Sequence, residues 1–140
     1  MPTGPSHVAR RTVASRVLPA PRFRYTPVVQ AGPFVFVSGM VALDAHTGAL
    51  VAGGVFEQTA QILANLKALV DEQSWSLGQL VLARIFCSDF TAFGEVNRAW
   101  EAFFADAVPP ARTSVGVSAL PLGALVEIEF QFVVHPVAAD

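Results

Sequence analysis

Near its end the chain alternates strictly. Val126, Ile128, Phe130, Phe132 and Val134 are apolar, and Glu127, Glu129 and Gln131 between them are polar. A period of two sends the two sets to opposite sides of a strand, and no helix accommodates that pattern. Residues from roughly Ala124 to Val134 therefore read as a strand with one core face and one open face, and the rest of the chain must cover the core face. Two segments are suited to do so. Phe56, Ala60, Leu63, Leu66 and Val70 recur at helical spacing. So do Phe93, Val96, Trp100, Phe103 and Ala107, with Pro109 and Pro110 placed to stop that second helix. Further strand-like runs are "RTVASRVL", "FVFVSGMVAL" after Gly32-Pro33, a short edge segment "ALVAGG", "QLVLARIFCSDF", and Arg112 to Val117. The order ββ-α-β-α-ββ predicts an α+β domain, a single sheet of about six strands with both helices on one face.

The open face of that sheet is where chemistry is expected. Ser114 and Gly116 read as sharing it with Glu127, and Arg112 has the parity of Ser114. The stretch "PPARTSV" delivers Arg112 to a strand mouth, although a guanidinium is always charged and costly to bury. An arginine there either grips the carboxylate of a ligand or pairs with a carboxylate across a subunit interface. By this reading Arg112 and Glu127 look out from the same side.

Composition narrows the function. The 140 residues suit one domain: residues 11–136, with a flexible lead at 1–10 and a tail at 137–140. Hydrophobic residues make up 53% and charged residues 14%, against an ordinary charged share of about 25%, so part of the surface is expected to hide against other subunits. Net charge is −2 and Lys67 is the only lysine, which argues against nucleic acid as a partner. Cys87 is the single cysteine and His7, His46 and His135 show no ligand spacing, so no metal site is expected. No apolar run approaches the ~18 residues of a membrane span, and a reducing, cytoplasmic setting is the simplest expectation. The first 24 residues hold five arginines and no acid, like an organellar presequence, but Pro2, Pro5, Pro19 and Pro21 interrupt any long amphipathic helix.

Six stretches, taken in order, carry a resemblance: "YTPVVQAG", "FVFVSGM", "FEQTAQILANLKALV", "FCSDFTAFGEVNRAWEAFF", "PPARTSVGVSALP" and "VEIEF". Together they resemble the Rid family, the YjgF-type (RidA-like) reactive intermediate deaminases. The resemblance implies a chorismate-mutase-like subunit in a barrel-like homotrimer, with sheets inside, helices outside and clefts between neighbours. It implies hydrolysis of enamines and imines such as 2-aminoacrylate and 2-iminobutanoate to 2-oxo acids and ammonia, with no cofactor. By motif position, Arg112 binds the substrate carboxylate and Glu127 positions the water. Tyr25, Ser38, Gly39, Asn97 and Ser114 fall at pocket positions. Glu127 is preferred to Glu129 on motif position alone, since the two share parity.

The alternative class is a trimeric carboxylate-binding, regulatory or chaperone-like protein without turnover. A pure carboxylate binder needs only the arginine, so the presence of both Arg112 and Glu127 favours catalysis. Three departures stand out. Phe23-Arg24 precede Tyr25 where the family commonly has Gly-Pro, Met40 follows Ser38-Gly39 where glutamine is common, and "QSW" replaces Ala-Gly after the first helix. The first two border the expected cleft and bear on specificity.

Overall fold

A computed structural model describes residues 9–135. His7, the tail, and all of the expected lead except Ala9 and Arg10 lie outside these residues. The elements are β1 (Arg11–Thr12), β2 (Val28–Ala31), β3 (Phe34–Met40), α1 (Val55–Glu72), β4 (Leu80–Cys87), α2 (Phe93–Phe103), β5 (Ala111–Gly116) and β6 (Val126–Val133). They form one six-stranded sheet in the order β1-β2-β3-β6-β4-β5. Only β4 and β5 run parallel, joined by the crossover through α2.

The alternation in β6 organises this arrangement as expected. Val126, Ile128, Phe130, Phe132 and Val134 are buried, while Glu127, Glu129 and Gln131 are half-buried on the other side. The buried set joins Val35 and Val37 of β3, Ala83, Ile85 and Cys87 of β4, and the inner faces of both helices in a single core. Among the described residues, no helix is long and apolar enough to cross a membrane.

Four details differ from the sequence reading. The run "RTVASRVL" pairs only at Arg11–Thr12, extended by one backbone bond from Val13 N–H to the Val28 carbonyl (3.0 Å). The chain then turns because Ser15 Oγ accepts the N–H groups of Val17 and Leu18 (3.3 and 3.2 Å), a local bond that competes with strand pairing. Glu72, at the end of α1, fixes the turn by accepting from Ser15 Oγ (2.7 Å) and Arg16 N–H (2.6 Å).

The second difference is the phase of α1. Its buried face begins at Val55, Gln58 and Thr59, whereas Phe56 is half-buried and Ala60 exposed. Polar residues can take core positions here because they are satisfied. Gln58 Oε1 accepts the Leu125 N–H (2.9 Å), Thr59 donates to the Val55 carbonyl (2.8 Å), and Asn65 donates to the Leu43 carbonyl (2.9 Å). Phe56 instead lies under the Arg98 guanidinium, 3.7 Å from ring centroid to charge centre.

Third, "ALVAGG" contributes only an isolated bridge between Leu43 and Leu50. Fourth, α2 stops at Phe103, before the prolines are reached, because Phe104 leaves helical geometry (ψ 22°). After α1, Ser74 takes a positive φ of 59°, a conformation better suited to glycine, and Trp75 beyond it packs on Phe132 with ring centroids 5.1 Å apart.

Candidate functional site

β3 does not run evenly along β6. Val37 pairs with Phe130 and Met40 with Ile128, so Ser38 and Gly39 form a bulge where only Glu129 stands opposite. Bulges bend a strand and re-aim its side chains. Here Ser38 turns back to the chain before β2, its N–H donating to the Pro27 carbonyl and its Oγ to the Thr26 carbonyl, both at 2.8 Å. Gly39 is left against the Glu127 side chain. A Cβ at Gly39 would lie 2.8 Å from Glu127 Cδ and 3.1 Å from both Cγ and Oε1. The glycine is needed for this close approach, since its φ is not in the left-handed region.

The bulge opens onto a cleft of about 380 Å3. Tyr25, Ser38, Gly39 and Glu127 line it, together with Glu129. Glu129 is held by Arg84 at 3.0 Å. Among the described residues, no hydrogen bond or ion pair engages the Glu127 side chain. Its carboxyl is pushed above the usual carboxylate range, first by burial and then by the negative charge of Glu129.

That displacement has a measurable sign. The folded protein holds the Glu127 proton more tightly than the unfolded chain does, so stability falls as pH rises from the ordinary glutamate range through the raised folded value, then levels off. Glu127→Gln removes this loss. Its melting temperature relative to wild type is expected to climb across that window and then plateau, as followed by calorimetry. A difference independent of pH would show that Glu127 titrates normally.

Arg112 is elsewhere. Sequence parity puts it beside Glu127 on the open face, and the register corrects this. β5 pairs in parallel with β4, matching Arg112 to Ala83, Ser114 to Ile85 and Gly116 to Cys87. Ala83, Ile85 and Cys87 are fully buried on the helix side, and partners in a ladder point the same way. Arg112 and Ser114 therefore belong to the helix side, while Glu127, paired with Phe86, faces away.

The Arg112 guanidinium carbon lies 5.3 Å from the Trp100 ring centroid and 5.6 Å from that of Phe93. Asn97 lies one helical turn beyond Phe93 on α2 and shares that side. No ion pair or side-chain hydrogen bond engages Arg112 among the described residues. The aromatic pair was legible as an apolar helix stripe, but not as a stage for a cation.

The seven expected site residues thus divide. Tyr25, Ser38, Gly39 and Glu127 gather at the cleft, whereas Arg112, Ser114 and Asn97 do not line it and cluster beside α2 at the edge strand. Among the described residues, no group of three His, Cys, Asp or Glu side chains is placed to hold a metal ion.

Similarity to known proteins covers the same span. Residues 15–134 match the family described as Endoribonuclease L-PSP. The chain is 38% identical over 121 residues to the 2-iminobutanoate/2-iminopropanoate deaminase of Salmonella typhimurium, covering 85% of this chain and 94% of that one. It is 34% identical over 124 residues to the mouse protein of the same name (Mus musculus), covering 89% and 91%. Its fold matches the crystal structure of Escherichia coli TdcF with bound serine at a TM-score of 0.81 and 30% identity, covering 88% of this chain and 98% of that one.

Proposed function

This chain belongs to the Endoribonuclease L-PSP family, the Rid or YjgF family that its motifs resemble, and from that premise we propose that it hydrolyses 2-imino acids to 2-oxo acids and ammonia in clefts between subunits of a homotrimer. One observation carries the proposal. Among the described residues, a single subunit holds an unpartnered glutamate at a cleft and an unpaired arginine on the far side of the same sheet, so each half-site lacks what the other supplies. A ring of identical subunits can bring the Arg112 edge of one copy to the Glu127 cleft of the next. The open sheet face supports association, since Phe34, Phe36, Val115 and Val133 leave it partly exposed and apolar.

The chemistry follows from the two halves. Arg112 grips the substrate carboxylate through two parallel charge-assisted bonds, with Trp100 and Phe93 behind its guanidinium. Glu127 accepts a proton from water as the water oxygen bonds to the imine carbon, and the C=N electron pair moves onto nitrogen. That proton passes to nitrogen to give the carbinolamine, and the hydroxyl then gives up its own proton through Glu127 to the same nitrogen as the carbonyl forms, the C–N bond breaks and ammonia leaves. Nothing is oxidised or reduced. A carboxylate with a raised proton affinity is a better base for this step than an ordinary one. Tyr25 and the backbone of the bulge at Gly39 are suited to orient substrate and water, the Ser38 N–H being taken by the Pro27 carbonyl.

Two other readings are weaker. The relatives named deaminases and the serine-bound TdcF are consistent with carboxylate binding alone, but simple binding leaves the unpartnered Glu127 without a task. Ribonuclease action, which the family description names, has little support in a chain of net charge −2 with one lysine. The test is a coupled assay. A pyridoxal-phosphate dehydratase generates 2-aminoacrylate or 2-iminobutanoate, and semicarbazide competes for the imine. Wild type is expected to speed 2-oxo acid release, and no acceleration by folded protein would contradict the proposal.

A further inference from the structure

Resting on the imine-hydrolase reading above, we propose that the preferred substrate carries a bulky apolar side chain, branched aliphatic or aromatic, and that Met40 and Phe23 select it. Most of the cleft lining is apolar. Besides Glu127 and Glu129 its wall includes Leu18, Phe23, Met40, Leu43 and Leu122. Met40 reaches this wall because the bulge swings it to the inner side of the sheet, where it pairs with Ile128 and is 9% exposed. It forms an apolar floor that is pliable, as an unbranched thioether is. Phe23 stands at the rim 63% exposed, a large ring that a small ligand would leave wet and a large apolar one would cover.

The buried polar side chain of this wall is already engaged. The Asn65 amide donates to the Leu43 carbonyl and accepts from Gln61, both at 2.9 Å. Arg22 is exposed and gives one of its N–H groups to the Gly48 carbonyl. A polar side chain reaching the buried part of the wall would therefore lose water without finding a dedicated partner. Size agrees with polarity. At about 30 Å3 for each molecule in liquid water, a cleft of about 380 Å3 holds about a dozen waters. A three-carbon imino acid, with six non-hydrogen atoms, leaves much of it to water, and a leucine- or phenylalanine-derived imine leaves less.

The experiment supplies imines made in situ by amino-acid oxidases from alanine, leucine, phenylalanine and glutamate, with semicarbazide competing. In parallel, calorimetry measures binding of the matching 2-oxo acids. Wild type is expected to show kcat/KM at least about tenfold higher for the leucine- and phenylalanine-derived imines than for the alanine-derived one, the scale set by added methylenes in an apolar pocket. Met40→Gln and Phe23→Ala should each compress that ratio several-fold. Phe23 is exposed, so its variant reports even if Met40→Gln folds poorly. Turnover with equal rates, or with preference for the alanine- or glutamate-derived imine, overturns the specificity and leaves imine hydrolysis standing. If no imine is hydrolysed, imine hydrolysis falls and calorimetry decides. Binding of the apolar 2-oxo acids about tenfold tighter than pyruvate then sustains the apolar selectivity, and equal binding overturns it.

Discussion

Arg112→Ala is expected to lower kcat/KM for imine hydrolysis by about 10²- to 10⁴-fold while leaving the subunit folded. Two hydrogen bonds to a charged carboxylate, each worth about 1.5–3 kcal/mol, account for a loss of that size. The fold should survive because Arg112 is exposed on an edge strand. Within the subunit it gives up only its contacts with Trp100 and Phe93, worth on the order of 0.5–1 kcal/mol at an exposed site. Arg112→Lys should recover little, since an ammonium cannot reproduce the planar fork. Steady-state kinetics beside thermal melting separates the possibilities. Normal kinetics with a large drop in melting temperature would make Arg112 a structural residue.

Gly39→Ala is the second large effect, and it acts through Glu127. The new methyl would sit 2.8 Å from the carboxyl carbon, a distance real Cβ atoms essentially never adopt, so the carboxylate must move. A displaced base of this kind costs on the order of 10²-fold in kcat, and outright removal in Glu127→Ala about 10²- to 10⁴-fold. Stability should change little, because the side chain that gives way is half-buried and unpartnered. The two losses should not add. Gly39→Ala/Glu127→Ala is expected to be no slower than Glu127→Ala alone, the signature of one residue acting through another. Additive losses would mean that Gly39 serves substrate approach by itself.

How much of this was legible beforehand depended on whether a pattern was local. The alternation in β6 gave its two faces correctly, because period two survives any tertiary context that buries one side. The stripe in α2 was also sound at Val96 and Trp100. In α1 the phase of the first turn is not legible in the sequence, since Gln58 and Thr59 look polar and become core residues only through partners at Leu125 and Val55.

The error at Arg112 was of another kind. Its parity relative to Glu127 cannot be counted along the chain. It has to be carried through β4, which separates β5 from β6, and the parallel pairing of β4 with β5 is a tertiary fact. The bulge at Ser38-Gly39 was equally hidden. A glycine inside a strand run hints at one, but the offset that brings Gly39 to Glu127 is set by β6. Motif resemblance therefore names the candidate site residues as a set without revealing that one subunit keeps them in two places. Glu127 illustrates a related trade. Holding a carboxylate half-buried beside Glu129 works against stability at neutral pH and raises its proton affinity, which suits a base.

The most direct test of the composite site mixes two dead proteins. Arg112→Ala and Glu127→Ala subunits, each inactive alone, would be unfolded together in equal amounts and refolded. In a trimer whose sites join the Arg112 edge of one copy to the Glu127 cleft of the next, every mixed ring restores one intact site. Random assembly should then recover about a quarter of the wild-type activity. If the mixture stays as inactive as its parts, although native mass spectrometry shows mixed trimers, Arg112 and Glu127 do not act across a subunit boundary, and the proposed site is wrong.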